Sequence, residues 1–196
     1  MQQPIGFYTM LTVIALASRL GAENVPSADF YPLKVGNKWT YIVLGSDDRF
    51  VLSAAAEEKV GDQTCIRLEA RVRDTILATE HVAVVKDGIY RFKNNDQVLD
   101  PPLCICKVPA KKGDTWTADF RVEGAKASAK FETDLDEATV AAGKYKCVLV
   151  RYEVTEKGST TRARAWFAAR VGMLKQVLDF GSTKVELELE KFEPAK

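Results

Sequence analysis

Histidine is nearly absent from this chain: His81 is the only one in 196 residues. A serine–histidine or cysteine–histidine nucleophile would have to use it, yet it sits inside Ile76–Val85, a run that reads as a strand. No G-x-S-x-G elbow, phosphate-binding G-x-x-x-x-G-K-[ST] loop or H-E-x-x-H helix is present. His81 is therefore read as structural or surface, and no catalytic residue, cofactor or metal is assigned. A dominant charge sign is lacking as well, with 28 Lys plus Arg against 27 Asp plus Glu and no basic block. Nucleic-acid binding needs a basic face, so it is not expected. A low-complexity linker is also missing, and no composition shift marks a domain boundary.

What is present begins with an uncharged run, Ile5 to Ala17, IGFYTMLTVIALA. It is shorter than the roughly 20 apolar residues a spanning helix needs and has the length of a signal-peptide core. The preceding MQQP carries no Lys or Arg, which is atypical for such a segment. Ala15-Leu16-Ala17 and Gly21-Ala22 are small-residue sites, so cleavage is expected after Ala17 or Ala22. Residues 1–22 are read as a signal peptide and 23–196 as one domain, with no stable membrane span after cleavage. The first cysteine is Cys65, too distant for a lipid-modified N-terminus. Export to the periplasm, cell surface or medium is the expectation.

Within the domain the strand signal recurs. In Lys184–Lys191, KVELELEK, Val185, Leu187 and Leu189 alternate with Glu186, Glu188 and Glu190, so one face is dry and one wet. Thr161–Ala168 sets Ala163, Ala165 and Phe167 against Arg162, Arg164 and Trp166. Ala125–Phe131 sets Ala125, Ala127, Ala129 and Phe131 against Lys126, Ser128 and Lys130. Further strands are predicted at Lys38–Leu44, Phe50–Val60, Thr64–Val72, Ile76–Val85, Ile89–Phe92, Leu103–Val108, Thr115–Val122 and Tyr145–Thr155. Turn residues such as Gly61-Asp62, Asn95-Asp96 and Lys157-Gly158 separate them. Ser53–Lys59 reads alternatively as a helical turn. Half-wet strands joined by short turns pair antiparallel, which predicts an all-β domain: a curved sheet, half-barrel or sandwich.

Three groups of residues are candidates for more than packing. Ala125, Ala127, Ala129, Ala163 and Ala165 leave room on an inner face, either for bulky core partners or for a groove that takes an apolar ligand. Asp134, Asp136 and Glu137 lie together without the spacing of a calcium loop. Cys65, Cys104, Cys106 and Cys147 form an even set, which in an exported chain makes a disulfide plausible with pairing open; a soft metal such as Cu(I) on Cys104 and Cys106, with no Met or His nearby in sequence to help, and buried thiols are the alternatives.

The pieces YPLKVGNKWTY (Tyr31–Tyr41), Val85–Tyr90, Gly113–Trp116, Ala142–Val148, Trp166–Ala168 and Val171–Lys175 occur in that order. Together they resemble the TapB-like group of exported bacterial β proteins of unknown function. The resemblance implies a curved antiparallel sheet and a cell-envelope or secreted setting, and it implies no reaction. The expected function is non-enzymatic: binding an apolar small molecule or an envelope protein partner. A purely structural module and an enzyme with an unrecognised site are the alternatives.

Overall fold

The structure, a computed structural model, describes residues 30–85 and 87–196. The predicted signal peptide, residues 1–22, lies outside the described residues. Twelve strands follow one another: β1 (Lys38–Val43), β2 (Arg49–Val60), β3 (Gln63–Val72), β4 (Thr75–Val85), β5 (Gly88–Asn94), β6 (Gln97–Lys107), β7 (Thr115–Val122), β8 (Ala125–Val140), β9 (Gly143–Glu156), β10 (Ser159–Ala168), β11 (Gly172–Asp179) and β12 (Lys184–Glu193). Each pairs antiparallel with the next, as the alternation and short turns predict. Ser53–Lys59 is strand rather than helical turn, with a register shift between Ala54 and Ala56 in its pairing with β3.

The expected open half-barrel or sandwich is corrected. β12 returns to pair with β1, from Lys38↔Glu193 to Val43↔Leu187, and closes the sheet into a barrel. Alternation reports that a strand is wet on one side; it carries no information on whether the two terminal strands meet. Outward positions are polar and inward positions apolar. In β8, Lys126, Lys130 and Glu132 are exposed while Ala127, Ala129 and Phe131 are buried. That is the reverse of a membrane barrel, whose outer band is apolar. Among the described residues, no helix is long and apolar enough to cross a membrane.

One end of the barrel is plugged. The segment before β1 brings Tyr31 inside, where its ring packs edge-on against Trp39 (5.5 Å between centroids) and Phe167 (6.1 Å), an arrangement aromatic quadrupoles favour. Trp39 and Tyr41 are fully buried. The Trp39 indole donates to the Val171 carbonyl at 2.6 Å and the Tyr41 hydroxyl to the Met173 carbonyl at 2.9 Å. Both bonds pass over β12 and tie β1 to the start of β11. Asn37, buried, fastens the chain ends: its amide donates to the Pro32 carbonyl (2.5 Å) and its side-chain oxygen accepts from Ala195 N–H (2.6 Å). At the other end lie the β1–β2, β3–β4, β5–β6, β7–β8, β9–β10 and β11–β12 turns. Leu44, Ile76, Leu77, Val98 and Phe180, beside four of these turns, are exposed.

The ring is uneven. β6 and β7 share only two paired positions, Leu99↔Val122 and Asp100↔Arg121, whereas β8 and β9 share fourteen, from Ala127↔Glu156 to Val140↔Gly143. From Pro101 onward the two strands part, and side chains bridge them. The Trp116 indole donates to the Cys104 carbonyl at 3.1 Å, and Lys107 lies over the Trp116 ring. The connecting loop is pinned by Thr133, whose hydroxyl donates to the Lys111 carbonyl at 2.5 Å.

Gly172 sits at φ 88°, and a Cβ there would come within 2.4 Å of the Tyr31 ring. Gly181 has a similar φ of 87° with open space around it. Gly172→Ala is expected to cost about 3 kcal/mol, combining backbone strain with a clash in the plug, and Gly181→Ala about 1 kcal/mol from strain alone. Chemical denaturation of the two variants measures the difference.

Candidate functional site

The barrel interior is not filled by its own side chains. An eight-stranded barrel is just wide enough to pack solid, and diameter grows with strand number; here twelve strands leave a cavity of about 410 Å³. That is within the range of small-molecule pockets. Every strand except β7 contributes to its wall. The wall is mainly aliphatic and aromatic, with Leu52, Leu68, Ile105, Phe167 and Leu187 among its side chains, and Tyr31 lines it from the plug. Leu77 lines it at the opposite, open end and is 58% exposed.

Four polar side chains interrupt this wall: Glu80, Arg91, Tyr152 and Gln176. Glu80 falls on the inward face of β4 with Ala78 and Val82. Arg91 is paired across the ladder with Val82 on one side and Leu103 on the other, both inward. The two charges meet at 2.9 Å. Gln176 donates to the Tyr152 hydroxyl at 3.1 Å. Burial is the largest influence and works against the Arg91 charge, but Glu80 together with Tyr152 and Tyr31 holds the guanidinium above its ordinary pKa. Burial pushes the Tyr31 and Tyr152 phenols up, so both keep their protons; Glu80 and Arg91 act on each of them in opposite senses. The cluster is thus electrically balanced and rich in donors. Arg91 Nε is buried without a hydrogen-bond partner.

A second, larger depression of about 960 Å³ crosses the outer surface over β7 to β12. Its charges largely satisfy one another, with Arg162 on Glu153 at 2.7 Å and Arg151 between Glu132 and Asp134. Exposed pairs of this kind are ordinary solvated surface, so the enclosed apolar interior is the better candidate.

The residues singled out in the sequence disperse. Of the five alanines, Ala165 lines the cavity. Ala163 borders the outer depression. Ala127 and Ala129 are core residues set opposite Phe120 and Ala118, and Ala125 begins β8 half-buried. His81 is buried but lies between the inward Glu80 and Val82, and its Nε2 meets Glu58 at 2.8 Å. Asp134, Asp136 and Glu137 are each occupied separately: Asp134 by Lys112, Asp136 by the Trp166 indole, Glu137 by Lys144. Among the described residues no cluster of three or more ligands could hold a metal ion. Glu186 and Glu188 both take Lys175, and Glu190 takes Arg49, the cross-strand pairing their spacing implies.

All four cysteines are free. The disulfide expectation fails on distance: Cys65 in β3 and Cys147 in β9 each lie three strands from Cys104 and Cys106 in β6. Three ladder spacings are about 14 Å, twice the reach of a disulfide. Cys65, Cys106 and Cys147 are buried and Cys104 is half-buried.

The interior polar cluster was missed in the sequence, although a signal exists. Glu80 occupies a position that alternation assigns to the apolar face of its strand, with Ile76, Ala78, Val82 and Val84, and an inward charge in a barrel strand marks either a buried pair or a site; Arg91 carries no such signal, because it shares its face with Lys93.

No family model matches the chain, and no curated protein does. Three solved structures are similar in architecture. One is a candidate exported protein of YmcC-like fold from Bacteroides fragilis NCTC 9343, at 13% identity over 84% of this chain and 99% of that chain, with a TM-score of 0.50. Another is a candidate lipoprotein from Parabacteroides distasonis ATCC 8503, at 10% identity over 84% and 98%, TM-score 0.47. The third is the hypothetical lipoprotein YmcC from Escherichia coli (K12), at 16% identity over 88% and 92%, TM-score 0.43. At such identity the Bacteroides likeness is one of fold.

Thiol titration checks the cysteine assignment. Burial raises the Cys104 thiol and lifts Cys65 and Cys147 to about 11, which suppresses the reactive thiolate throughout; Cys104 differs in being only half-buried. The denatured chain is expected to yield four thiols. The native barrel at pH 8 should react first at Cys104, and Cys104→Ser should abolish that early phase.

Proposed function

We propose that this protein is an exported, non-enzymatic barrel that carries an apolar small molecule in its interior. The cavity carries the reading: a closed wall with an aliphatic lining, plugged at one end and open at the other, is a container for something that avoids water. The motif residues behind the TapB-like resemblance, Tyr31, Trp39 and Gly172, meet in the plug. An envelope address rests on the signal-like Ile5–Ala17 run.

The alternatives find less support. Docking through an exposed strand edge needs an unpaired strand; closure pairs both terminal strands, and the edges that part between β6 and β7 are bridged by Trp116 and Lys107. An enzyme needs a reactive group in the pocket. His81 lies outside the cavity lining, and Glu80 is already matched to Arg91.

Titration with a neutral naphthyl dye, fluorescent in apolar surroundings, tests the proposal. The wild-type chain is expected to bind about one dye per barrel. Ala165→Phe, which fills the cavity from β10, should weaken binding about tenfold or more while the far-ultraviolet strand signal is kept. No dye binding by the wild-type chain, together with a bare polypeptide mass on native mass spectrometry after purification from its own envelope fraction, would refute it.

A further inference from the structure

Resting on that reading, we infer that the cavity selects a lipid whose acyl chain lies along the aliphatic wall and whose neutral carbonyl, an ester rather than a free carboxylate, meets the Arg91–Tyr152–Gln176 cluster. An apolar container needs no ions. A buried ion pair is costly to desolvate and is often neutral or worse for stability than an apolar replacement of similar shape. A pair facing a cavity therefore points to what the cavity holds. The hydrogen-bond inventory sharpens this. Arg91 offers five donors, meets Glu80 through one nitrogen, and keeps a buried Nε with no partner. The Tyr152 hydroxyl already accepts from Gln176, which leaves its own proton free to donate. The cluster thus has donors to spare, and a head group that accepts hydrogen bonds completes it.

Charge then separates two kinds of acceptor. Glu80 already neutralises Arg91 at 2.9 Å. A carboxylate would add a second anion beside Glu80 inside an enclosed, mainly apolar wall, where Glu80 and Arg91 are only part-exposed, and like charges held close are costly there. An ester carbonyl accepts the same hydrogen bonds and brings no charge. Glu80 is, on this view, a positioning residue: it holds the guanidinium and screens out anionic lipids.

Competition against the bound naphthyl dye tests this with three ligands of one chain length: methyl dodecanoate, dodecane and dodecanoate. In the wild-type chain the ester is expected to displace dye at about tenfold lower concentration than either of the others, the scale of satisfying buried donors. In Glu80→Gln/Arg91→Met, which removes both charges together, the ester-to-dodecane ratio should fall to about one; a ratio within one variant is unaffected by any change in dye affinity. Glu80→Gln alone leaves the guanidinium unmatched and should shift preference toward dodecanoate. A purely structural ion pair would lower stability in that variant and leave the order of ligands unchanged. Equal competition by ester and dodecane in the wild type, or an ester advantage that survives the double substitution, overturns the inference while the cavity reading stands. If the double variant does not fold, an unchanged ligand order in Glu80→Gln overturns it equally. Failure of the wild-type chain to bind dye removes the cavity reading and this inference with it.

Discussion

A twelve-stranded ring encloses more space than its inward side chains occupy, and this geometric surplus governs the rest of the molecule. Strand number and tilt fix the girth of a closed sheet; packing must then either fill the interior or leave a void. Filling is concentrated at one end, where Tyr31, Trp39, Tyr41, Phe167 and Phe192 gather. The remaining length, lined mainly by aliphatic side chains with Phe50, Phe131 and Tyr152 among them, stays hollow. An apolar void has few partner atoms across it and forfeits dispersion contacts, so the plug carries a disproportionate share of the cohesion.

The plug also explains how closure is held. β1 is the shortest strand, six residues long, and its ladder with β12 breaks register between Thr40 and Tyr41. Trp39 and Tyr41 compensate by bonding to the β11 backbone beyond the neighbouring strand. Buried indole and phenol groups need such partners, so the same residues supply apolar area and a fixed direction. Asn37 adds a second tether by gripping the segment before β1 and the segment after β12. Outside, the alternating Lys, Arg and Glu positions keep the wall wetted.

Much of this was legible along the chain because period-2 alternation is a local property. The strands around Lys184–Lys191, Thr161–Ala168 and Ala125–Phe131 lie where the pattern put them, and a turn falls at Lys157-Gly158 as expected, with two successive positive φ angles (49° and 79°). β11 was not assigned from sequence: MLKQVLD mixes apolar and polar residues without strict alternation, because Val177 packs outward beneath Arg164 and Gln176 turns inward. Closure was illegible, since it depends on accumulated twist over twelve strands rather than on any segment. The alanine stripes signalled space but not its location. The β8 alanines face the short, tightly paired β7, whereas Ala165 faces the void. The cysteines misled because an even count says nothing of strand separation.

The two paired positions between β6 and β7 have a mechanical consequence. They fall midway around the ring and divide it into two six-stranded shells that share a continuous spine at β1 and β12. A ring built this way does not resist outward strain uniformly. Hoop stress collects at the clasp with the fewest stitches, where parting the shells breaks two residue pairs and the Trp116 bond instead of a full ladder. The seam between β6 and β7 is therefore the least-stitched part of the ring, and the Trp116 indole is one of its few ties.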